Sequence, residues 1–268
     1  MEKLHAGPEA KEGGLVRGRW TLALIRHHLE AMQGLSLSGV WYALKRAGVR
    51  WRSAYLRQWS PDPEYAAKLA HLCDCLRLAG RSEGEIELVF MDEAGFYRWP
   101  SPAKDWSNTP PCAFHGGQDN NSQWRSIAGL NARTGQVTYL NNYIVGRKQV
   151  IEWYKRLKTA YPNAKTIFVA QDNWSIHTHA DVQQALTGYP TIQPVWLPTY
   201  SPWLNPIEKL WRWLKVDYLK MHRLAHDWHE LRRLVERFLD QFSQGSSQLL
   251  HYVGLLGDGL LASALRSI

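Results

Sequence analysis

Three acidic residues stand where strands and helices of an α/β protein would place them together. Asp92 and Asp172 each follow a short, mostly apolar run typical of a buried strand, and Glu208 opens a predicted helix. Because ligand sites in such folds lie at the carboxyl ends of strands, we expect the three carboxylates to converge. Carboxylates at close range repel one another. Two divalent cations would relieve this repulsion and supply the chemistry of phosphodiester cleavage.

Each of these residues also has a structural interpretation. Asp92 could cap the turn after its strand, and Asp172 could cap the helix predicted near Ala180. Residues 205–208 fit an N-cap Asn, a Pro at the first helical position and Glu208 at the third, which is a capping-box pattern. No single residue decides between the interpretations, so the hypothesis of a metal site depends on the set of three.

Neighbouring side chains give weaker evidence for a metal site. Glu93 follows Asp92 directly, and side chains alternate along a strand, so we expect Glu93 to point to the opposite face. His177 and His179 could ligate a metal. A histidine in a polar loop more often makes a hydrogen bond or contacts substrate, and we assign neither as a ligand.

Alternating strands and helices would position the three carboxylates. Hydrophobic patterning and turn residues predict a mixed sheet flanked by helices, that is, an α/β domain. The predicted strands are 86–92, with a hairpin partner at 95–99, then 123–131, 136–144, 166–172 and 192–197. The predicted helices are 148–161, 180–187, 206–221 and 228–242, with an apolar helical tail at 248–267.

Ahead of this domain lies a smaller helical one. Two amphipathic helices are predicted, over 20–29 and 35–48, and Ser36 or Ser38 is a candidate cap for the second. With 49–52 as a candidate wing, this order resembles a winged helix-turn-helix. An ordinary helical hairpin fits the pattern equally well.

Composition shifts set the predicted boundaries. We predict a flexible tail over 1–18 and a winged helix-turn-helix domain over 19–60. Prolines then break the chain, and a linker helix follows within 61–84. The catalytic domain is predicted to cover 85–268.

Positive charge is concentrated at the amino-terminal end. The net charge is +8, and residues 1–60 contribute ten Lys or Arg against four Glu. A basic head on a nearly neutral body favours a nucleic-acid partner, although a solubilising surface is the alternative. The predicted DNA contacts are Lys45, Arg46, Arg50, Arg52, Arg57, Lys209, Arg212 and Lys215.

Composition also excludes other classes. Three cysteines cannot build a disulfide framework, which predicts reduced thiols in a cytoplasmic protein. No apolar run of about 18 residues is present, so we expect no membrane partner.

Three segments together resemble a known family. The segments are 91–93 (MDE), 171–177 (QDNWSIH) and 197–208 (LPTYSPWLNPIE), with 35 residues between Asp172 and Glu208. This set is similar to the DDE transposases of the mariner superfamily, in particular its insertion sequence 630 family. The resemblance implies a ribonuclease-H-like catalytic domain in which Asp92, Asp172 and Glu208 hold two Mg²⁺ or Mn²⁺ ions.

The same resemblance implies a transposase of a bacterial insertion sequence. Such a protein cuts double-stranded DNA at terminal inverted repeats and joins the element ends to target TA sites, as a homodimer on nucleoid DNA. Relatives usually carry two helix-turn-helix modules, and this chain has room for one. Recognition of the element ends is therefore expected to be impaired.

Other functions remain open on the sequence. A decayed, truncated transposase or a non-catalytic DNA-binding protein would keep the basic head. A structure-specific nuclease could use the same fold, although the segment 197–208 favours the transposase.

Overall fold

A five-stranded mixed sheet forms the centre of the larger part of the molecule. In the computed structural model the described residues are 11–12, 15–16, 19–52, 59–109, 111–113, 116 and 120–266. Contacts divide the chain into two compact units, residues 1–58 and residues 59–268. The sheet belongs to the second unit.

The sheet is antiparallel on one side of its central strand and parallel on the other. The strand β3 (Ile86–Tyr97) pairs antiparallel with β4 (Gln123–Asn131), which pairs with β5 (Val137–Asn142). On its other side β3 pairs parallel with β6 (Thr166–Gln171), and β6 pairs with β7 (Ile192–Trp196). The predicted mixed sheet is confirmed.

Helices cover both faces of this sheet. They are α3 (Tyr65–Arg81), α4 (Arg147–Ala160), α5 (Ala180–Thr187), α6 (Ile207–Trp213), α7 (Trp228–Asp240), α8 (Ser247–Val253) and α9 (Leu260–Arg266). One face carries the larger core and packs against α3, α6, α7 and α8; the other packs against α4 and α5. Apolar residues at helical spacing form these contacts, as in Val150, Trp153, Tyr154 and Leu157 of α4.

Among the residues that the structure describes, three short segments are helical without being α-helices. Pro202–Leu204 forms a 3₁₀ turn just before α6, and Leu214–Leu219 continues α6 as a π-helix. A further 3₁₀ turn, Glu30–Met32, lies in the first unit. In the described ranges, no helix combines the length and the apolar character needed to cross a membrane.

The central strand is longer than predicted. A strand ending at Asp92 with a hairpin partner at 95–99 is wrong, because β3 continues without a break to Tyr97. Its antiparallel pairing with β4 runs from Val89 to Tyr97 and holds the whole length extended. Asp92 therefore lies inside a strand and not at its end.

The helix α3 belongs to the core of the second unit. Its residues Leu72, Cys75, Leu76 and Ala79 are fully or almost fully buried in the larger core. The division after Gln58 therefore places this helix in the second unit, whereas the sequence predicted a linker over 61–84. Burial of its apolar face stabilises an amphipathic helix more than a position between two domains would.

The first unit contains the two predicted helices, α1 (Leu22–His28) and α2 (Leu37–Arg46). Ser36 is the N-cap of α2 and accepts a hydrogen bond of 3.0 Å from the Gly39 N–H. Gly48 ends the helix with a φ of 77°, which glycine adopts without steric cost. Ile25, Val40 and Leu44 form a small core between the helices.

The described residues do not support the predicted wing at 49–52 or the predicted flexible tail over 1–18. Residues 49–52 form no strand, and 53–58, which include Arg57, lie outside the described residues. Within the predicted tail, β1 (Lys11–Glu12) and β2 (Leu15–Val16) pair antiparallel, and the remaining residues of 1–18 lie outside the described ranges.

Candidate active site

The register of the central strands places Asp92 and Asp172 side by side. Strand β6 pairs with β3 so that Ile86 lies opposite Thr166 and Phe90 opposite Ala170. The same offset carried forward sets Asp172, directly after β6, level with Asp92. The expected juxtaposition on neighbouring strands is present, although only Asp172 lies at a strand end.

Glu208 approaches from the helix that follows β7. It lies in the first turn of α6, and a cleft of about 490 Å³ is lined by all three carboxylates, Asp92, Asp172 and Glu208. Residues 197–202 and Asn205, between β7 and α6, form most of the remaining wall, and Asn173 and Trp174 from the loop after β6 complete it. Acidic side chains that are far apart in the chain therefore meet at one edge of the sheet.

Asn205 holds the start of α6 against the central strand. The capping role predicted for Asn205 is wrong, because its Oδ1 accepts from no N–H of the helix. Its amide Nδ2 donates instead to the Met91 carbonyl oxygen at 3.0 Å. Met91 directly precedes Asp92, so this buried bond sets the distance between the strand that carries Asp92 and the helix that carries Glu208. The Asn205 Oδ1 atom is buried and has no hydrogen-bond partner among the described residues.

The electrostatics of the cleft disfavour three negative charges. Burial, and after it the nearby charge of Glu208, raises the pKa of Asp92 to about 8, and Asp172 adds to this effect. The Glu208 carboxyl is partly open to solvent, but the walls of the cleft desolvate it and raise its pKa, against the attraction of Lys215. Burial and the mutual repulsion of the carboxylates therefore disfavour the charged forms of Asp92 and Glu208.

Glu93 and His177 lie beneath the cleft. Glu93 is largely buried, and its Oε1 lies 3.4 Å from Nε2 of His177, which is itself 3.6 Å from Oδ1 of Asp172. Burial, followed by Asp92 and Asp172, raises the pKa of Glu93 well above its usual range. Burial lowers the pKa of His177, and Asp172 partly opposes this. This contact between β3 and the loop after β6 was not predicted.

The structure also shows whether Asp172 caps the next helix and where His179 lies. His179, and not Asp172, is the N-cap of α5, since its Nδ1 accepts from the Asp181 N–H at 3.1 Å. His179 also lies 3.2 Å from Arg147. Asp172 accepts instead from the Trp174 N–H at 3.0 Å, which shapes the loop after β6.

The residues fit a divalent cation by their chemistry. Carboxylate oxygens are the ligands that Mg²⁺ prefers, and the cleft brings three carboxylates together. Within the described ranges, no group of three or more His, Cys, Asp or Glu side chains encloses a metal position as it stands. Small side-chain adjustments would accordingly have to accompany binding of an ion.

The predicted DNA-contacting cations that the structure describes lie in three places. Lys45, Arg46, Arg50 and Arg52 are exposed in the first unit. Arg212 and Lys215 are exposed on α6 and its π-helical continuation. Lys209 instead donates to the Val253 carbonyl oxygen at 2.8 Å and ties α6 to the end of α8.

Comparison with known proteins identifies the family. Residues 87–232, more than half of the chain, match the DDE superfamily endonuclease family. The chain belongs to this family. The match begins in β3 and ends in α7, so it contains all three carboxylates of the cleft.

Individual relatives agree with this assignment. The 39 kDa protein of insertion element IS630 from Shigella sonnei is 27% identical over 232 residues, which are 86% of this chain and 66% of that protein. This DDE endonuclease therefore spans just under two thirds of its curated relative.

Solved structures show the same fold. The Mos1 mariner paired-end complex with Mg aligns with a TM-score of 0.57 at 16% identity, over 100% of this chain and 86% of that one. The Mos1 transposase paired-end complex with the left transposon end aligns with a TM-score of 0.55 at 18% identity, over 96% and 82%. The ribonuclease-H-like architecture implied by the sequence is confirmed.

Proposed function

We propose that this DDE endonuclease is the transposase of an insertion sequence, which cuts and joins DNA at terminal inverted repeats. The observation that carries the proposal is the convergence of Asp92, Asp172 and Glu208 on one cleft, where burial and mutual repulsion disfavour the charged form of Asp92. The family assignment and the similarity to an insertion-element protein support it. A solved Mos1 relative is described as a complex with Mg, which supports a divalent cation.

Each carboxylate has a proposed role as a ligand. Asp92, Asp172 and Glu208 would together hold two Mg²⁺ or Mn²⁺ ions. When bound, such ions activate a water or a DNA 3′-hydroxyl for attack and stabilise the leaving oxygen. The chain itself positions the ligands through the β3–β6 register and through the bond from Asn205 to Met91.

Nicking of DNA tests the assignment. A plasmid that carries the DNA flanking this gene on both sides should be nicked in Mg²⁺ or Mn²⁺ and left intact in EDTA. Asp92→Asn, Asp172→Asn and Glu208→Gln keep the side-chain shape and remove the charge, and each should reduce nicking to background.

A matched control keeps this test specific. Glu85 lies just before the amino end of β3, where its exposed carboxylate pairs with Lys165 at 2.7 Å. Glu85→Gln removes the same charge far along the strand from the cleft and should nick like the parent protein. Full activity in all three cleft variants would show that the site is wrongly assigned.

We further propose that the first unit binds double-stranded DNA. Its exposed Lys45, Arg46, Arg50 and Arg52 supply phosphate contacts, and Arg57 is assigned on sequence alone. Each lost phosphate contact should lower the slope of log affinity against log salt by about 0.9. Fluorescence anisotropy over a salt series, comparing the parent with Lys45→Ala and Arg50→Ala, measures this slope.

The second candidate is a DNA-binding protein without catalysis. The basic first unit would serve such a protein equally well, but the acidic cleft would have no use there. Calorimetric titration with Mn²⁺ separates the two functions, because only the transposase requires that Mn²⁺ bind and that this binding depend on Asp172. Joining to TA sites and assembly of a homodimer on DNA belong to the same proposal, and sequencing of the joined products would test the target site.

A further inference from the structure

Tyr200 is the most exposed aromatic side chain on the wall of the cleft. Its ring is 77% exposed, and it lines the same cavity as Asp92, Asp172 and Glu208. Its neighbour Ser201 is only 5% exposed, so the loop is otherwise folded inward. A large apolar ring is thus held in solvent at the rim of the site.

The backbone at Tyr200 is strained. Its φ is 54°, in the left-handed region that residues with a Cβ rarely adopt. A turn that had only to reverse the chain would be served better by glycine. Such conformations persist where the surroundings impose them, and they are concentrated at functional sites.

Hydrogen bonds to the preceding residue, Thr199, impose this conformation. The Thr199 N–H donates to Asp62 Oδ2 at 2.9 Å, and the Thr199 carbonyl accepts from Ser60 Oγ at 2.6 Å. The Thr199 Oγ1 accepts from Asn173 Nδ2 at 3.2 Å. The segment before α3 and the loop after β6 therefore hold Thr199 fixed and direct the Tyr200 ring outward.

We propose that the Tyr200 ring stacks on a nucleobase of the bound DNA next to the phosphate that the cleft receives. This inference rests on the proposed function. Aromatic side chains bind every base through its π-face, so the contact does not require a particular sequence. A base inside a duplex has both faces covered, so the base in question lies at a strand end or is turned out of the helix.

Two cations on the helix that carries Glu208 and on its continuation suit this ligand. Arg212 and Lys215 are exposed on the helix that carries Glu208 and its continuation, where they can contact the DNA backbone. The ring would then fix a base while these cations hold the strand. Tyr200 would be a binding residue that sets which phosphate enters the cleft.

Three substitutions at this position separate stacking from loop geometry. Tyr200→Phe keeps the ring. Tyr200→Ala removes the ring and keeps the strain, whereas Tyr200→Gly removes the ring and relieves the strain. If Tyr200 served only the shape of the loop, glycine would replace it without loss.

The probe is a forked DNA duplex of arbitrary sequence with 2-aminopurine as the first unpaired base. The emission of this base falls when it is stacked, and Ca²⁺ replaces Mg²⁺ so that the DNA stays intact. The full-length parent and Tyr200→Phe should quench the probe, while Tyr200→Ala and Tyr200→Gly should not and should bind roughly tenfold more weakly. Parent-like quenching and affinity in Tyr200→Gly, or no quenching by the parent, would overturn the proposal.

A parallel measurement separates this inference from the proposed function. Nicking of DNA by the parent in Mg²⁺ is measured beside its quenching of the probe in Ca²⁺, because the two readouts can fail separately. A parent that quenches without nicking would leave the stacking role standing and remove the transposase proposal. A parent that nicks while its Tyr200→Gly variant quenches normally would do the reverse.

Discussion

Asp92 and Glu93 are adjacent in the chain but belong to opposite faces of the sheet. Asp92 has the parity of Leu88 and Phe90, which pack into the larger core, and Glu93 has the parity of Met91, which packs into the smaller one. The expected opposite orientation is therefore confirmed. Both carboxyl groups nevertheless have raised pKa values to which Asp172 contributes, because Asp172 follows the end of the neighbouring strand.

At the residue scale, Asn205 is expected to be the most sensitive polar residue of the cleft. Its side chain is 5% exposed, and Asn205→Ala would leave the buried Met91 carbonyl without its donor. We expect a loss of about 1–3 kcal/mol in the free energy of unfolding. Urea denaturation followed by tryptophan fluorescence measures it.

An exposed bond of the same kind serves as the control. Thr187 Oγ1 donates to the Gln184 carbonyl at 2.6 Å on the surface of the protein. Thr187→Val should change stability far less, because water replaces the lost partner. Equal losses in the two variants would show that burial of the Asn205 bond has no special effect.

At the scale of elements, the segment before α3 is fastened to the loop before α6 by one carboxylate. Asp62 accepts from Lys68 Nζ at 2.8 Å, from the Thr199 N–H at 2.9 Å and from the Glu64 N–H at 2.9 Å. The bond from Lys68, followed by that from Thr199, holds the pKa of Asp62 far below its usual range. The charged form is thus stabilised only in the folded protein.

This fastening predicts a pH dependence. Because the folded-state pKa is lowered, the contribution of Asp62 is complete above about pH 5, begins to fall near the ordinary value of about 3.9 and is lost only as the pH falls through the lowered folded-state value. Asp62→Asn should therefore lower the melting temperature at pH 7, and the gap to the parent should narrow as the pH falls below about 4. Asp74→Asn, which removes an exposed pairing with Arg77 within α3, should show little gap at any pH.

Packing of α4 on the sheet depends on a glycine. A Cβ built on Gly129 would lie 2.5 Å from both Trp153 and Val89. Gly129→Ala should destabilise the protein by about 1–3 kcal/mol through overpacking. Gly146→Ala is the control, since its Cβ would meet Gln149 at 3.5 Å, an ordinary contact. Thermal denaturation of the two variants compares them, and an unchanged Gly129→Ala would contradict the close packing.

At the scale of the whole molecule, a bound cation should stabilise the second unit selectively. All three carboxylates lie in residues 59–268, so binding should act on the unfolding of that unit. At a hundredfold excess of Mn²⁺ over its Kd we expect about 2.7 kcal/mol, or roughly 5–10 °C in melting temperature. Scanning calorimetry with Mn²⁺ and with EDTA measures the shift.

The Asp172→Asn variant completes this prediction. It should lose the Mn²⁺ shift, while Glu85→Gln should keep it, because Glu85 lies outside the cleft. A shift of equal size in both variants would place the cation elsewhere in the molecule.

Much of the architecture was readable from local patterns. Strand β4 and helix α5 follow the predicted limits, because each shows one clear hydrophobic period and is bounded by turn residues. The extension of β3 past Asp92 was not readable, since pairing with β4 and not local propensity holds it. The contact between Glu93 and His177 was likewise hidden, because it joins a strand to a distant loop.

The amino-acid sequence by itself determined the family, the three acidic residues and their order, because residue types and spacing carry that information directly. Only the tertiary structure decided that these residues share one cleft and that Ser60 and Asp62 hold the loop which presents Tyr200. The physical reason is that register and hydrogen bonding between segments more than a hundred residues apart arise only when the sheet and its helices pack together.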